Sequence, residues 1–476
     1  MKLSLLFNNL EIGDVEVDNI MFDYRRVCKN SIFFCLVDLN FDGHNYINVA
    51  IENGAKVIVH SRQLKSFRKG IEYIFINDLD DKFLSYVHRF YEDITHKILA
   101  IGVIGSYGKH VSASFLYQLI KTNEQVVWFS DKQLLSNIND FNFGTMSHLS
   151  NNYLMIYWLS VCYQLFKKGI KYFIFCLDDK FVRFGLLKNF SFKSILLTNY
   201  LIDEFNYQFN LNDSFVSYKN LFLNLENNIP VILDLDSELN RDLVSKIVNP
   251  IFTISENYDS NIKLLQANTR LDGIEYRFLL NDDKEYSNKL FINGLANLKY
   301  VLLAFLNGLV LGYNVEYILD CMHNFVYNYG GLKNITAPHL PIVIIDSGDS
   351  FISVDYALNF VANHITKPSR LLVAFLYSQS RKLIPDIELG ELLDKYCDII
   401  FLNNCEIFIQ EKSLTTRIHN HPYVIIDDVN ELLRQMCLLA RDQDVIMIFI
   451  SDQHRLELES GGHNLKFMIS NIFKEM

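Results

Sequence analysis

The residue types best suited to chemistry lie together in one stretch, Lys97 to Thr122. An apolar run, Ile98–Ile104, leads into the loop Gly105–Lys109 (GSYGK), and apolar residues at helical spacing follow. Glycines in such a loop let backbone N–H groups approach a phosphate, the helix start adds positive partial charge, and a lysine can reach the outer phosphates. The pattern predicts a strand, a phosphate-binding loop and a helix. The predicted nucleotide contacts are Gly105, Ser106, Gly108, Lys109 and the next residue, His110.

His110 departs from the usual phosphate-binding loop, and so does Val103. Such loops follow their lysine with Ser or Thr, whose hydroxyl ligates Mg²⁺, and imidazole is a poor ligand for this ion. Val103 stands where the spacing expects the first glycine. A plain strand-to-helix turn, with glycines that serve only close packing, therefore stays open as an alternative.

Composition limits the classes of protein that the chain can belong to. The chain has 476 residues, which is too long for one ordinary core and predicts two or three domains. Its content of 50% hydrophobic and 21% charged residues is typical of a globular protein. The formal net charge of −11 disfavours nucleic acid as the main partner. The eight cysteines form no C-x-x-C pair, and neither a leader nor a membrane-spanning apolar run is seen. We expect a cytoplasmic protein with reduced thiols, no zinc site and no membrane span.

Several motifs in order resemble those of the Mur ligases, the ATP-dependent amide-forming enzymes of peptidoglycan synthesis. The loop at 105–110 resembles their G-T-N-G-K-T. Upstream, DYRRV at 23–27, SIFFCL at 31–36, DGHNYI at 42–47 and AIENGA at 50–55 resemble the D-S-R-x-V, G-D-L-F-V-A, D-G-H-x-F-I and A-x-x-x-G-A series. That series is typical of the UDP-N-acetylmuramoyl-tripeptide synthetases, the MurE type. The resemblance is strong over residues 1–125 and weaker but collinear beyond.

The resemblance implies an α/β fold with the three-domain Mur ligase architecture. Residues 1–96 would form a UDP-substrate-binding domain, 97–327 a central ATPase domain of the P-loop type, and 328–476 a Rossmann-like domain. Apolar runs alternating with helix-length stretches independently favour mostly parallel sheets covered by helices. The implied substrate contacts in the first domain are Arg25, Asp42 and His44. The serine of the family motif is Tyr24 here, and ordinary surface residues beside a turn are the alternative interpretation.

Most polar positions at the predicted strand ends of the central domain differ from the family. The substrate-binding T-T-P corresponds to residues 145–147 and keeps Thr145 alone, which we predict to contact substrate. Cys176 stands where the family has a Mg²⁺-ligating glutamate, and a thiol is a poor ligand for a hard ion unless Asp178 or Asp179 replaces it. The resemblance therefore gives no confident metal ligand.

Two further central-domain positions match the family in part. Lys219 corresponds to a carbamylated catalytic lysine, although a solvated lysine on a helix is an equally weighted interpretation. Asn297 matches the first asparagine of an adenine-contacting G-x-F-N-x-x-N motif, and the second falls on Tyr300. We accordingly predict Lys109 and Lys219 as the catalytic residues and Asn297 as a nucleotide contact.

The last domain has lost most of the cations that the family uses. Leu332 replaces the arginine of G-R-L-E, Asp346 persists from D-Y-A-H, and residues 403–406 (NNCE) lack the arginine of the amino-acid-selecting D-N-P-R. Since the family reaction depends on positioned cations and metals, three hypotheses stay open. The chain is either a catalytically impaired or inactive MurE-like protein that binds a nucleotide or a partner protein, or a working ligase with substituted metal ligands. The third is a ligase with a changed substrate, in which replacement ligands such as Asp178 or Asp179 would converge in space. ATP and Mg²⁺ binding would then be weak or lost in the first case, and UDP-muramoyl peptide would be the substrate in the second.

Overall fold

The computed structural model describes most of the chain in fourteen segments, and all structural statements below concern them. They are residues 1–7, 15–37, 41–130, 134–137, 151–177, 191–199, 218–281, 283–327, 331–336, 340–348, 350–376, 386–403, 414–450 and 465–474.

A four-stranded parallel sheet occupies the N-terminal part, in the order β1-β2-β3-β4. Its strands are β1 (Asn19–Met21), β2 (Ser31–Phe34), β3 (Ala55–His60) and β4 (Glu72–Phe75). The helices here are α1 (Leu3–Leu6), α2 (Ile47–Glu52) and α3 (Leu79–Phe90), and short 3₁₀ turns cover Tyr24–Arg26, Gly43–Tyr46 and Ile94–His96. β2 is buried along its whole length, as its apolar sequence predicts.

A ten-stranded sheet follows, in the order β14-β13-β12-β11-β10-β9-β5-β8-β6-β7. The strands are β5 (Leu99–Ile104), β6 (Val126–Phe129), β7 (Leu134–Ser136), β8 (Tyr172–Leu177), β9 (Phe192–Leu197), β10 (Val231–Asp234), β11 (Ile251–Ser255), β12 (Ile262–Arg270), β13 (Gly273–Leu280) and β14 (Lys284–Leu290). β9 to β12 pair in parallel, whereas β12, β13 and β14 form an antiparallel meander that the sequence analysis did not predict.

The helices of this region are α4 (Lys109–Lys121), α5 (Asn151–Lys167), α6 (Glu238–Val244), α7 (Leu295–Val310) and α8 (Val315–His323), and residues 218–223 are also helical. α4 and α7 pack together closely because Gly308 has no side chain, and a Cβ there would approach Leu119 and Ile318 to about 3 Å. Asn307 of α7 is fully buried, and its amide exchanges hydrogen bonds with the Ser194 hydroxyl. This pairing satisfies the polar group that interrupts an otherwise apolar helix.

The C-terminal part contains a six-stranded sheet in the order β15-β16-β20-β17-β18-β19. The strands are β15 (Lys333–Asn334), β16 (Ile342–Asp346), β17 (Leu371–Phe375), β18 (Ile399–Asn403), β19 (Tyr423–Ile426) and β20 (Val445–Phe449). One apolar cluster covers one sheet face with α9 (Phe351–Asn363) and α10 (Asp386–Tyr396). A second covers the other with α11 (Val429–Leu439) and α12 (Leu465–Lys474). Helices on both faces make this a doubly wound α/β domain, which confirms the predicted Rossmann-like pattern.

The three sheets follow one another along the chain, and the α/β fold is the one that the sequence predicted. Two compact units can be distinguished. The first comprises Met1–Ile101, Asn123–Phe175 and Lys180–Lys193, and the second comprises Gly102–Thr122, Cys176–Asp179 and Ser194–Met476. None of the described helices combines the length and the apolar character that crossing a bilayer requires.

Candidate functional site

The loop Gly105–Lys109 connects β5 to the first residue of α4, as the sequence predicts. Gly105 and Gly108 have φ values of 145° and 77°, a region that side chains with a Cβ rarely adopt. A Cβ on Gly105 would overlap the Thr198 hydroxyl, and a Cβ on Gly108 would overlap the ring of Tyr300. Both glycines are therefore required by conformation and by close contact with other parts of this protein.

Asn199, two residues beyond the end of β9, holds the centre of this loop. Its backbone oxygen accepts the N–H of Ser106 at 3.3 Å, and its Oδ1 accepts the N–H of Tyr107 at 3.1 Å. Its Nδ2 donates to the Tyr107 carbonyl at 2.9 Å and to the Tyr300 hydroxyl at 2.7 Å. Thr198 donates to the same Tyr107 carbonyl at 2.6 Å. Two amides that a phosphate could use thus already have partners within the protein.

Tyr300, at the second turn of α7, fills the space above Gly108. Burial raises the pKa of its phenol well above the usual value, so the group is a neutral hydroxyl. The Tyr300 carbonyl also accepts a hydrogen bond from the Ser112 hydroxyl of α4, at 2.7 Å. Asn297, one turn earlier, is buried, and its Nδ2 donates to the Asn293 carbonyl at 2.7 Å. The nucleotide contact predicted for Asn297 stays a prediction. In the structure, the amide nitrogen of this side chain already bonds the protein backbone.

Two described residues at the expected metal positions, Cys176 and His110, are not the oxygen ligands that Mg²⁺ prefers. Cys176, the next-to-last residue of β8, is buried, and its thiol donates to the Lys109 carbonyl at 3.7 Å. His110 lies in the first turn of α4. Among the residues that the structure describes, no three His, Cys, Asp or Glu side chains are grouped as a metal site. Asp178, Asp179 and Thr145 lie outside the described residues.

Lys219 lies in the helical segment 218–223, close to acidic and basic side chains of α6. Its Nζ is 3.7 Å from a carboxylate oxygen of Asp242, which also forms an ion pair with Lys246. The hydrogen bond from Lys246 lowers the pKa of Asp242, so this carboxylate is anionic at neutral pH. The ion-pair partner of Lys219 in the structure is therefore a carboxylate that it shares with Lys246.

Lys299 forms a charged cluster at the carboxyl ends of β10 and β11 that the sequence analysis did not identify. Its Nζ lies 2.7 Å from Asp236, 2.7 Å from Glu256 and 3.4 Å from Asp234. Burial disfavours the Lys299 ammonium, but the hydrogen bonds to Asp236 and Glu256 outweigh burial and raise its pKa. The acidic run Asp234–Asp236 after an apolar strand was the available signal, because strand ends carry the ligands of parallel sheets.

The predicted substrate residues of the N-terminal part lie on or directly before two of its 3₁₀ turns, Tyr24–Arg26 and Gly43–Tyr46. His44 Nδ1 is 2.7 Å from Asp42, and Arg62 is 2.5 Å from the other Asp42 oxygen. The Ser61 N–H donates to His44 Nε2 at 3.2 Å, which assigns the proton of neutral His44 to Nδ1. Burial raises the pKa of Asp42, but the hydrogen bonds from His44 outweigh it and lower the value. Arg62 is a member of this cluster that the sequence analysis missed.

Arg25 lies on the first 3₁₀ turn and is exposed. Its guanidinium makes two hydrogen bonds to Asp23, at 2.8 and 2.9 Å. The neighbouring Tyr24 stacks on Tyr46, which belongs to the second turn, with ring centroids 4.1 Å apart and planes 6° from parallel. This stack brings the turns that carry Arg25 and His44 together. The substrate contacts of Arg25 and His44 stay predictions.

Leu332 and Asp346 are two positions of the C-terminal part that correspond to polar residues of the family motifs. Leu332 is buried in the apolar cluster under α9, in a left-handed conformation with φ 54°. Its N–H donates to Asp346 Oδ2 at 2.9 Å, and the Gly348 N–H donates to Asp346 Oδ1 at 2.8 Å. The persisting aspartate therefore holds two backbone amides, and a core leucine stands where the family motif has its arginine.

The fold and the order of the motifs define a protein with the three-domain architecture of the Mur ligases. A solved structure of a UDP-N-acetylmuramoyl-L-alanyl-D-glutamate--2,6-diaminopimelate ligase covers 98% of this chain and 100% of its own, with a TM-score of 0.69 and 12% identity. MurF from Thermotoga maritima in complex with ADP covers 98% and 100%, with a TM-score of 0.65 and 15% identity.

Sequence comparison identifies the relatives more narrowly, and the chain is a divergent relative of the MurE-type Mur ligases. It is 25% identical over 406 residues to a UDP-N-acetylmuramoyl-L-alanyl-D-glutamate--2,6-diaminopimelate ligase of Fusobacterium nucleatum, covering 82% of this chain and 78% of the relative. It is 23% identical over 459 residues to a UDP-N-acetylmuramyl-tripeptide synthetase of Borreliella afzelii, covering 91% of this chain and 88% of the relative. No family model matches the chain.

Proposed function

We propose that the chain is a MurE-like protein of peptidoglycan precursor synthesis in which ATP-dependent ligation is impaired or lost. One observation carries this proposal: other residues of the protein already contact the loop Gly105–Lys109, which is predicted to bind phosphate. Asn199 bonds two loop amides, and Tyr300 packs on Gly108. A nucleotide phosphate would have to displace these contacts before it could bind.

The chemistry of ligation explains why such changes matter. Transfer of a phosphoryl group relies on positioned cations, amides and metals, and loss of one such donor costs about 10²–10³ in rate. Here Cys176 replaces a hard oxygen ligand, Lys219 faces the carboxylate of Asp242, and Leu332 is a core residue. Several losses together would leave little turnover.

The remaining assignments belong to the same proposal. The domains would be residues 1–96, 97–327 and 328–476, and the protein would act in the cytoplasm. The chain would bind nucleotide and UDP-muramoyl peptide weakly or not at all. It would then act by binding a partner protein. The relatives' names support the ligase lineage, and the contacts of the phosphate loop support the impairment.

The test measures Mg·ATP affinity by calorimetry and ADP release with UDP-muramoyl dipeptide and a mixture of amino acids. We expect millimolar affinity or none, and no ADP release that depends on substrate. Micromolar affinity, or substrate-dependent release that Lys109→Ala abolishes, would instead identify a working ligase with substituted ligands.

A second arm tests the obstruction at Gly108. Tyr300→Asn replaces the ring with the residue of the family motif, and we expect Mg·ATP to bind at least about tenfold more tightly because the space above the loop opens. Tyr313→Asn makes the same chemical change elsewhere in the chain and should leave the affinity unchanged. Equal affinities in both variants, each folded by circular dichroism, would refute the obstruction.

A further inference from the structure

β19 is the terminal strand of the six-stranded sheet and pairs in parallel with β18. In the part of the chain that the structure describes, no strand pairs with its opposite edge. The Ile400 N–H donates to the Pro422 carbonyl at 3.0 Å, so the backbone groups of Pro422 face β18. Because these groups alternate along a strand, those of Tyr423 and Ile425 face the open edge. The proline therefore removes no donor from that edge.

The side chains of β19 are also unusually apolar for an edge. Tyr423, Val424 and Ile425 are 42%, 38% and 46% exposed. Edge strands are commonly protected from pairing by a charge, a proline or a bulge. The four residues of β19, Tyr-Val-Ile-Ile, contain neither a charge nor a proline. The strand is thus suited to accept another strand.

The residues on either side of β19 indicate which strand that is. His419 and His421 precede it, and Asp427 and Asp428 follow it. The segment before the strand is fixed, since Asp394 accepts the N–H groups of His419 and Asn420 at 3.0 and 2.8 Å. An antiparallel copy of the same segment would place histidines beside aspartates at both ends.

We propose that β19 pairs with β19 of a second copy of this chain across a two-fold axis at Val424. This register places Tyr423 opposite Ile425 of the second copy and His421 opposite Asp427 of the second copy. Each pairing occurs twice because a two-fold interface uses the same patch on both copies. A parallel, in-register arrangement would instead place Asp427 beside Asp427 of the second copy. Repulsion between the two like charges disfavours that arrangement.

Sedimentation equilibrium of the full chain tests the proposal. We expect reversible association to twice the 55.6 kDa chain mass. Ile425→Lys puts a charge on the edge beside the two-fold axis and should weaken the dimer at least about tenfold. Val248→Lys is the matched control, because Val248 is apolar and 74% exposed but lies outside β19. A monomer at all concentrations, or a dimer that Ile425→Lys leaves unchanged, would overturn the proposal.

Exchanging the residue types at positions 421 and 427 tests the register with substitutions outside the apolar core. His421→Asp should weaken the dimer because it places carboxylates opposite Asp427, and combining it with Asp427→His should restore association. If the double variant is no stronger than the single one, the antiparallel register is wrong. Circular dichroism of each variant confirms that the chain is folded.

Discussion

Asn199 shows how one side chain can bond several polar groups of a loop at once. Its amide bonds the N–H and the carbonyl of Tyr107 as well as the hydroxyl of Tyr300. These bonds satisfy polar groups that would otherwise face the site. Under the proposed function, a phosphate would have to replace these hydrogen bonds, so it would gain little binding free energy from the loop.

Lys299 provides a prediction at the same scale. Lys299→Met would leave Asp234, Asp236 and Glu256 without their shared cation, so we expect a loss of about 3 kcal/mol in stability at pH 7. Lys289→Met is the control, because its ion pair with Asp272 is more exposed. Urea unfolding of both variants measures the difference, and an equal loss in the two would contradict the prediction.

The loss caused by Lys299→Met should depend on pH. Burial raises the pKa of Asp236, but bonds from Lys299, Ser255 and the Glu256 amide outweigh it and hold the value well below the usual range. A carboxyl with a depressed folded pKa contributes stability above its unfolded pKa and loses it as the pH falls. The gap between the native chain and the variant should therefore shrink as the pH falls below about 4.

At the scale of elements, the loop Gly105–Lys109 is hydrogen-bonded to the start of α9. The Tyr107 hydroxyl donates to the Ser350 hydroxyl at 2.8 Å, and Ser350 forms a capping box with Ser353. The loop thus contributes to the N-terminus of a helix in the C-terminal sheet region. A capping box stabilises a helix start by satisfying its unpaired amides.

Tyr107→Phe should loosen that helix start. Loss of a neutral hydrogen bond costs about 1 kcal/mol, so we expect amide exchange in the first turn of α9 to accelerate about fivefold. Hydrogen-exchange mass spectrometry measures this rate. Tyr117→Phe removes a hydroxyl from α4 and should leave α9 unchanged. Similar exchange in the native chain and Tyr107→Phe would show that the bond contributes nothing.

At the scale of the whole molecule, the charge balance gives a further expectation. With a formal net charge of −11, the chain should not bind RNA or DNA measurably at physiological salt, because nucleic-acid affinity comes largely from neutralising phosphates. Fluorescence anisotropy with a labelled oligonucleotide measures this. Salt-sensitive micromolar binding would contradict the expectation and reveal a local basic surface.

The order of the three sheets was predictable because apolar runs and helical spacing are local properties of the sequence. The strands β2, β8, β17 and β20 coincide closely with apolar runs that are buried along nearly their whole length. The meander of β12 to β14 was missed because its residues alternate between exposure and burial and form no continuous apolar run.

The sequence by itself determined the α/β class, the strand–loop–helix at Gly105–Lys109 and the likeness to the Mur ligases, since residue type and spacing carry these features. Only the tertiary structure decided what surrounds the loop. Asn199 and Tyr300 lie about 90 and 190 residues beyond it in the chain, and no local pattern reveals that they meet Tyr107 and Gly108. Long-range packing brings them together, because the ends of β5 and β9 and the start of α7 converge in the folded chain.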